Sequence, residues 1–235
     1  MIRKILLINI VLLGGCNTTT TDKKSISEKE YYSNGNISAE SIVINDTIKN
    51  YKTYYESGSL KSMGNYKGEK PEGFHVWYYK NGITETESQF QNGLLVGGTT
   101  KFFTNGNIKK YCFYNDNSDL MYINTYDSLG SLIGTQGRLI VSIKYKSPIK
   151  VGREMTADYL IATPPDSKGD LIIKEIFDSK IIINKKYNID SSNFRYSKIY
   201  QTVGKYQLIM KVVVNDTMRK RTFVDVDTTS IEVVP

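Results

Sequence analysis

Hydrophobic and polar residues alternate along most of this chain at the two-residue period of β-strands, and no segment sustains the 3.6-residue period of an amphipathic helix. Between residues 31 and 137 the alternating runs are short and are cut by Asn-Gly, Ser-Gly and Lys-Gly pairs, which predicts hairpin after hairpin. The run from Ile83 to Phe90, which includes Glu85 and Glu87, is one such polar strand. Beyond Gly137 the runs lengthen and become β-branched. They predict strands at 139–146, 154–162, 171–177, 180–184, 194–200, 205–215 and 221–234. Turn signals separate them at Ser147-Pro148, Pro164-Pro165-Asp166, Lys168-Gly169-Asp170 and Asn215-Asp216. Seven or so short strands are the content of a β-sandwich, so the expected fold is all-β, an antiparallel repeat meander of hairpins followed by a sandwich.

The meander is periodic. Tyr31-Tyr32-Ser33-Asn34-Gly35 aligns with Tyr54-Tyr55-Glu56-Ser57-Gly58, Tyr78-Tyr79-Lys80-Asn81-Gly82 and Phe102-Phe103-Thr104-Asn105-Gly106, and a decayed copy ends at Gly130. The glycines 35, 58, 82, 106 and 130 are 23, 24, 24 and 24 residues apart. An aromatic pair before Asn-Gly or Ser-Gly is a strand entering a tight turn, because Gly and Asn tolerate the positive φ a hairpin needs. Eight residues after the glycine comes Tyr66, Phe90 or Tyr114, with Val43 in the first copy. Aromatics at fixed places are expected to stack across strands. Tyrosine and glycine, at 18 each, are the compositional outliers, and this stretch holds 18 of 27 aromatics and 13 of 18 glycines. The pattern resembles the bacterial variant of the MORN repeat, carried by proteins of the YwqK-type antitoxin family, and the resemblance implies a hairpin sheet that binds a partner.

In the C-terminal part, Gly204-Lys205-Tyr206-Gln207-Leu208 resembles the tyrosine corner of immunoglobulin-like and PKD-like domains. The resemblance implies that the Tyr206 hydroxyl ties its strand to the preceding loop. A sandwich of another topology is the alternative.

The N-terminus reads differently. Arg3 and Lys4 precede an apolar run from Ile5 to Leu13, too short for the roughly 20 residues of a membrane span. The segment reads as a signal peptide. Leu13-Gly14-Gly15-Cys16 resembles a bacterial lipobox, which implies cleavage after Gly15 and lipidation of Cys16; an ordinary secretory signal is the plainer alternative. Asn17 after the cysteine favours the outer membrane of a two-membrane cell. The segment 16–30, rich in Thr, Ser and Lys, reads as a flexible tether. The expected layout is signal 1–15, tether 16–30, repeat sheet 31–137 and sandwich 138–235.

Candidate chemistry is sparse. His75 is the single histidine and reads as a strand residue rather than a base. Cys112 sits among Tyr111, Phe113 and Tyr114 and reads as a buried thiol. Glu85 and Glu87 share a strand face, the geometry of a glycosidase pair or a cation site, against the plainer reading of a solvated face. No nucleotide-binding or nucleophile-elbow motif occurs, so no cofactor, metal or enzymatic site is expected. Net charge is +7 overall. Residues 31–137 carry 9 Lys against 10 Asp and Glu, whereas 138–235 carry 17 basic and 11 acidic groups. A basic extracytoplasmic module suits an anionic envelope polymer, or is simply soluble with charged edge strands. The extracytoplasmic compartment argues against nucleic acid as a partner. The expected function is that of a non-enzymatic, lipid-anchored envelope scaffold whose repeat sheet docks a protein partner. The alternatives are an immunity or antitoxin-like protein against one toxin, and an envelope enzyme acting on glycan.

Overall fold

The computed structural model describes residues 3–5, 27–45, 47–189 and 191–235. The described residues are all-β. Strands β1 (Arg3–Ile5), β2 (Ser27–Tyr31), β3 (Ile37–Val43), β4 (Ile48–Tyr54), β5 (Leu60–Lys67), β6 (Lys70–Tyr78) and β7 (Thr84–Gln91) each pair antiparallel with the next. Strands β8 (Leu94–Phe102), β9 (Ile108–Tyr114), β10 (Leu120–Tyr126) and β11 (Leu132–Gly137) continue the sheet in chain order. Apart from β1, the segment 1–15 lies outside the described residues, as does Cys16. Strand β2 begins inside the stretch expected to be a tether, because Ser27 to Tyr31 supply the backbone partners of β3 in the first hairpin.

Each repeat turn is built the same way. The glycine amide donates to the carbonyl three residues back, from Gly35, Gly58, Gly82 and Gly106 to Tyr32, Tyr55, Tyr79 and Phe103, at 2.8–3.0 Å. The glycines have φ between +83° and +87°, a type I turn closed by a left-handed residue. The asparagine before the glycine is not left-handed, so only the glycine supplies the positive φ. The asparagine side chain is used instead: Asn34, Asn81 and Asn105 accept through Oδ1 from the amide two residues on. Asn92-Gly93, in the turn between β7 and β8, is an Asn-Gly pair in which both residues have positive φ.

Eight further strands form two sheets that face one another: β12 (Ile140–Tyr145), β13 (Ile149–Lys150), β14 (Glu154–Ile161), β15 (Ser167–Phe177), β16 (Lys180–Ile189), β17 (Asn193–Ile199), β18 (Gly204–Asp216) and β19 (Arg221–Val234). One sheet runs β12-β14-β17 and the other β13-β19-β18-β15-β16. Alternate residues meet between them, with Met155, Ala157 and Ile161 set against Leu171, Ile173, Leu208 and Met210, all buried. Two expected turns are strand instead. Lys168, Gly169 and Asp170 lie in β15, all paired with β18 and the last two with β16 as well, because the left-handed Asp166 already reverses the chain. Asn215 and Asp216 end β18, and the reversal follows at 217–220.

The chain divides into two compact units, 1–95 with 101–107, and 96–100 with 108–235. The sheet ends at Gly137, and β9, β10 and β11 belong to the same unit as the sandwich. Specific contacts hold them there. Arg219 donates from Nε to the Gly130 carbonyl at 2.7 Å, and its guanidinium lies 4.4 Å from the Tyr126 ring centre. Lys144 pairs with Asp116, and the buried Tyr111 hydroxyl bonds to Thr163.

Candidate functional site

In the first unit the strand register sorts side chains onto two faces. On one face Glu28, Ser41, Tyr51 and Gly64 stand in a row across β2, β3, β4 and β5, with Lys49 beside Tyr66 in the next row. The ladder between β5 and β6 is interrupted between Met63 and Asn65, and there His75 enters the row. A Cβ at Gly64 would lie 2.1 Å from His75 Nδ1, so only glycine leaves room for the imidazole. His75 Nε2 lies 2.8 Å from the Asn65 carbonyl. A carbonyl can only accept, so Nε2 carries the proton. Burial lowers the His75 pKa, with hydrogen bonds to the Asn65 and Glu72 backbone opposing. Nε2 is thus engaged with the Asn65 carbonyl while Nδ1 faces Gly64.

Around it the aromatics form a continuous band. Tyr51 and Tyr66 meet edge-on at 6.0 Å, Tyr66 and His75 at 5.1 Å, and His75 and Phe90 at 5.0 Å, while Trp77 stacks on His75 at 5.8 Å. At the β2 end the band opens into a shallow concavity of about 340 Å³ lined by Glu28, Ser41, Lys49, Tyr51, Tyr66 and Glu69, with Gly68 at its rim. Burial, then the nearby Glu30 and Tyr66, raise the Tyr51 pKa, so its hydroxyl stays protonated and able to donate. Ring edges, two carboxylates and one ammonium surround the shallow floor. Among the described residues no group of three His, Cys, Asp or Glu side chains is placed to hold a metal ion.

The aromatic pairs of the repeat act differently from the stacking expected of them. Their second members, Tyr32, Tyr55 and Tyr79, donate their hydroxyls to the carbonyls of Tyr54, Tyr78 and Phe102, the first members of the next copies, at 2.6–2.7 Å. Phe103 has no hydroxyl to continue the series. The first members turn elsewhere: Tyr54 donates to Glu40 and Tyr78 to the Met63 sulfur. Tyr31 closes β2 opposite Ile37. Gly130 closes the last repeat turn, donating to Asp127. Glu85 and Glu87 are half-buried on β7 and alternate with Thr86 and Ser88, which oppose Trp77 and His75; they face away from the band. Cys112 is buried in β9. In the sandwich the Tyr206 hydroxyl donates to the Thr202 carbonyl at 2.9 Å.

Glu28, Tyr51, Lys49 and Glu69 escaped the sequence reading. For two of them a signal was present: Glu28 and Tyr51, like His75 and Thr99, each stand seven residues before a turn glycine, a repeat position filled by a different side chain in each copy and so hidden in the alignment.

Among protein families, the MORN repeat variant matches residues 49–67, which are the β4–β5 hairpin with Tyr51, the Tyr54–Gly58 turn and Tyr66. Comparison with curated proteins returns no match.

Proposed function

We propose that the protein is a non-enzymatic binding or scaffold protein of the cell envelope, anchored through a lipid on Cys16, that docks a protein partner on the aromatic face of its repeat sheet. The observation that carries the reading is the unbroken band from Tyr51 through Tyr66 and His75 to Phe90 and Trp77, opening on a charged concavity. Aromatic side chains anchored in rigid strands and rimmed by charge are the composition of interface hot spots. The anchor reading rests on Leu13-Gly14-Gly15-Cys16, and places the protein on the periplasmic or outer side of an outer membrane. In the second unit, the bond from Tyr206 to Thr202 supports an immunoglobulin-like sandwich.

A second reading, an immunity protein of the YwqK type that neutralises one toxin, is favoured by the MORN variant at 49–67. Both readings use the same face and differ in the partner. The test is capture of envelope and secreted proteins by the intact chain, by Tyr51→Ala/Tyr66→Ala, and by Phe74→Ser on the opposite face. Loss of a stoichiometric partner with the tyrosine variant alone supports docking on the band. Equal capture by all three overturns it. A single toxin as the partner selects the immunity reading.

A further inference from the structure

The five-stranded sheet of the second unit uses one face for the core and leaves the other to solvent. Leu171, Ile173, Leu208, Met210 and Val212 point inward and are buried, so the residues between them point outward. The register sets Lys186, Ile172, Lys211 and Val226 side by side across β16, β15, β18 and β19. The adjoining rows bring Lys174 beside Ile209 on one side, and Val213 beside Val224 on the other. Val224 and Val226 are 54% and 48% exposed. An outer strand face is ordinarily polar; this one interleaves branched aliphatics with lysines.

The charge on the face is one-sided. Six lysines (Lys150, Lys168, Lys174, Lys186, Lys205 and Lys211) stand against Asp170 and Glu232, a net of +4. Lys186 pairs with Asp170 at 2.9 Å, whereas Lys174 and Lys211 have no ion-pair partner among the described residues.

We propose that this face is a peripheral contact for an anionic lipid surface. Lysine stems lie along apolar ground and hold their ammoniums at its edge, where headgroup phosphates would sit, while Val224, Val226 and Ile172 meet the upper acyl chains. A second copy is disfavoured, because the two faces would bring like charges together. A soluble polyanion would engage the lysines and leave the valines in water. The inference does not depend on the repeat-sheet reading, since it concerns residues of the other unit.

The test uses residues 17–235, which lack Cys16 and any lipid on it, sedimented with vesicles. Binding is expected to vesicles of phosphatidylglycerol and phosphatidylcholine in equal parts, weakening with salt, and not to phosphatidylcholine alone. Lys174→Glu/Lys211→Glu is expected to reduce partitioning roughly tenfold or more. Val224→Ser/Val226→Ser, with unchanged charge, is expected to reduce it as well. Urea midpoints of the variants check that they fold. Absence of vesicle binding overturns the proposal. So does binding to soluble polyphosphate that the lysine variant loses and the valine variant keeps, if vesicles show the same insensitivity to the valines.

Discussion

Between the two sheets of the sandwich lies an ion pair whose removal has a calculable consequence. Glu175 projects inward from β15 and is fully buried. Its Oε1 is 2.9 Å from Lys198 Nζ, and its Oε2 accepts from the Tyr196 hydroxyl at 3.0 Å. The Lys198 ammonium also lies 4.6 Å from the Tyr200 ring centre. Lys198→Met keeps the stem and deletes the charge, leaving a buried carboxylate with one hydroxyl donor. Breaking one side of such a pair costs about 3–5 kcal/mol. At a urea dependence of roughly 2 kcal/mol per molar, the midpoint should fall by about 2 M. Replacing both partners, Glu175→Leu with Lys198→Met, removes the uncompensated charge and should recover most of the loss. Equilibrium urea unfolding followed by far-UV circular dichroism, on the wild type, both single variants and the double, reads the coupling directly. A midpoint for Lys198→Met within a few tenths of a molar of wild type would refute the reasoning. A double variant as unstable as the single would refute it differently, by showing that packing rather than charge sets the cost.

Further outcomes are expected elsewhere in the molecule. The single histidine should titrate below 6.5 in a nuclear magnetic resonance experiment, because its folded pKa is lowered by burial. Its contribution to stability is then complete above that unfolded value and is lost as pH falls, since the unfolded chain binds the extra proton; a midpoint at or above 6.5 contradicts the buried, neutral ring. Gly64→Ala should destabilise the first unit by about 1–3 kcal/mol, because the new methyl meets His75 and the ring has Tyr66, Trp77 and Phe90 around it. Fluorescence of the single tryptophan, Trp77, would report an unmoved transition if that space is more yielding than the geometry indicates. Tyr55→Phe should lower stability by about 1 kcal/mol through the lost bond to the Tyr78 carbonyl, and a neutral result in thermal unfolding would mean water replaces it. A fragment spanning 108–235 should unfold cooperatively at higher temperature than one spanning 139–235, which lacks the Tyr126 and Gly130 partners of Arg219. Equal melting temperatures would show those contacts to be dispensable.

Much of the architecture is written locally. The turn glycines mark the hairpins because a backbone at φ near +85° excludes branched side chains, and that requirement recurs visibly in sequence. The sandwich strands are legible in their β-branched runs, to within a few residues for most. What escaped depends on contacts across strands. The place of His75 follows from the interrupted ladder at Gly64, which belongs to β5 while the ring belongs to β6. Lys168-Gly169-Asp170 imitates a turn, but Gly169 is needed in a strand, where a Cβ would press on Ile189 at 3.1 Å. The hold of Arg219 on Gly130 joins residues 89 apart, which no local pattern can announce.

The hydroxyl bonds from Tyr32, Tyr55 and Tyr79 have a bearing on how such a chain changes length over time. Each tyrosine recognises a backbone carbonyl of the following copy, a group every residue presents, and no particular side chain. A duplicated or deleted block of 23 or 24 residues therefore arrives with its own donor and finds a ready acceptor for this bond. That bond therefore sets no limit on copy number, and the sheet can change length by whole repeats. The phenylalanine at 103 closes that series as a stop would close a sentence.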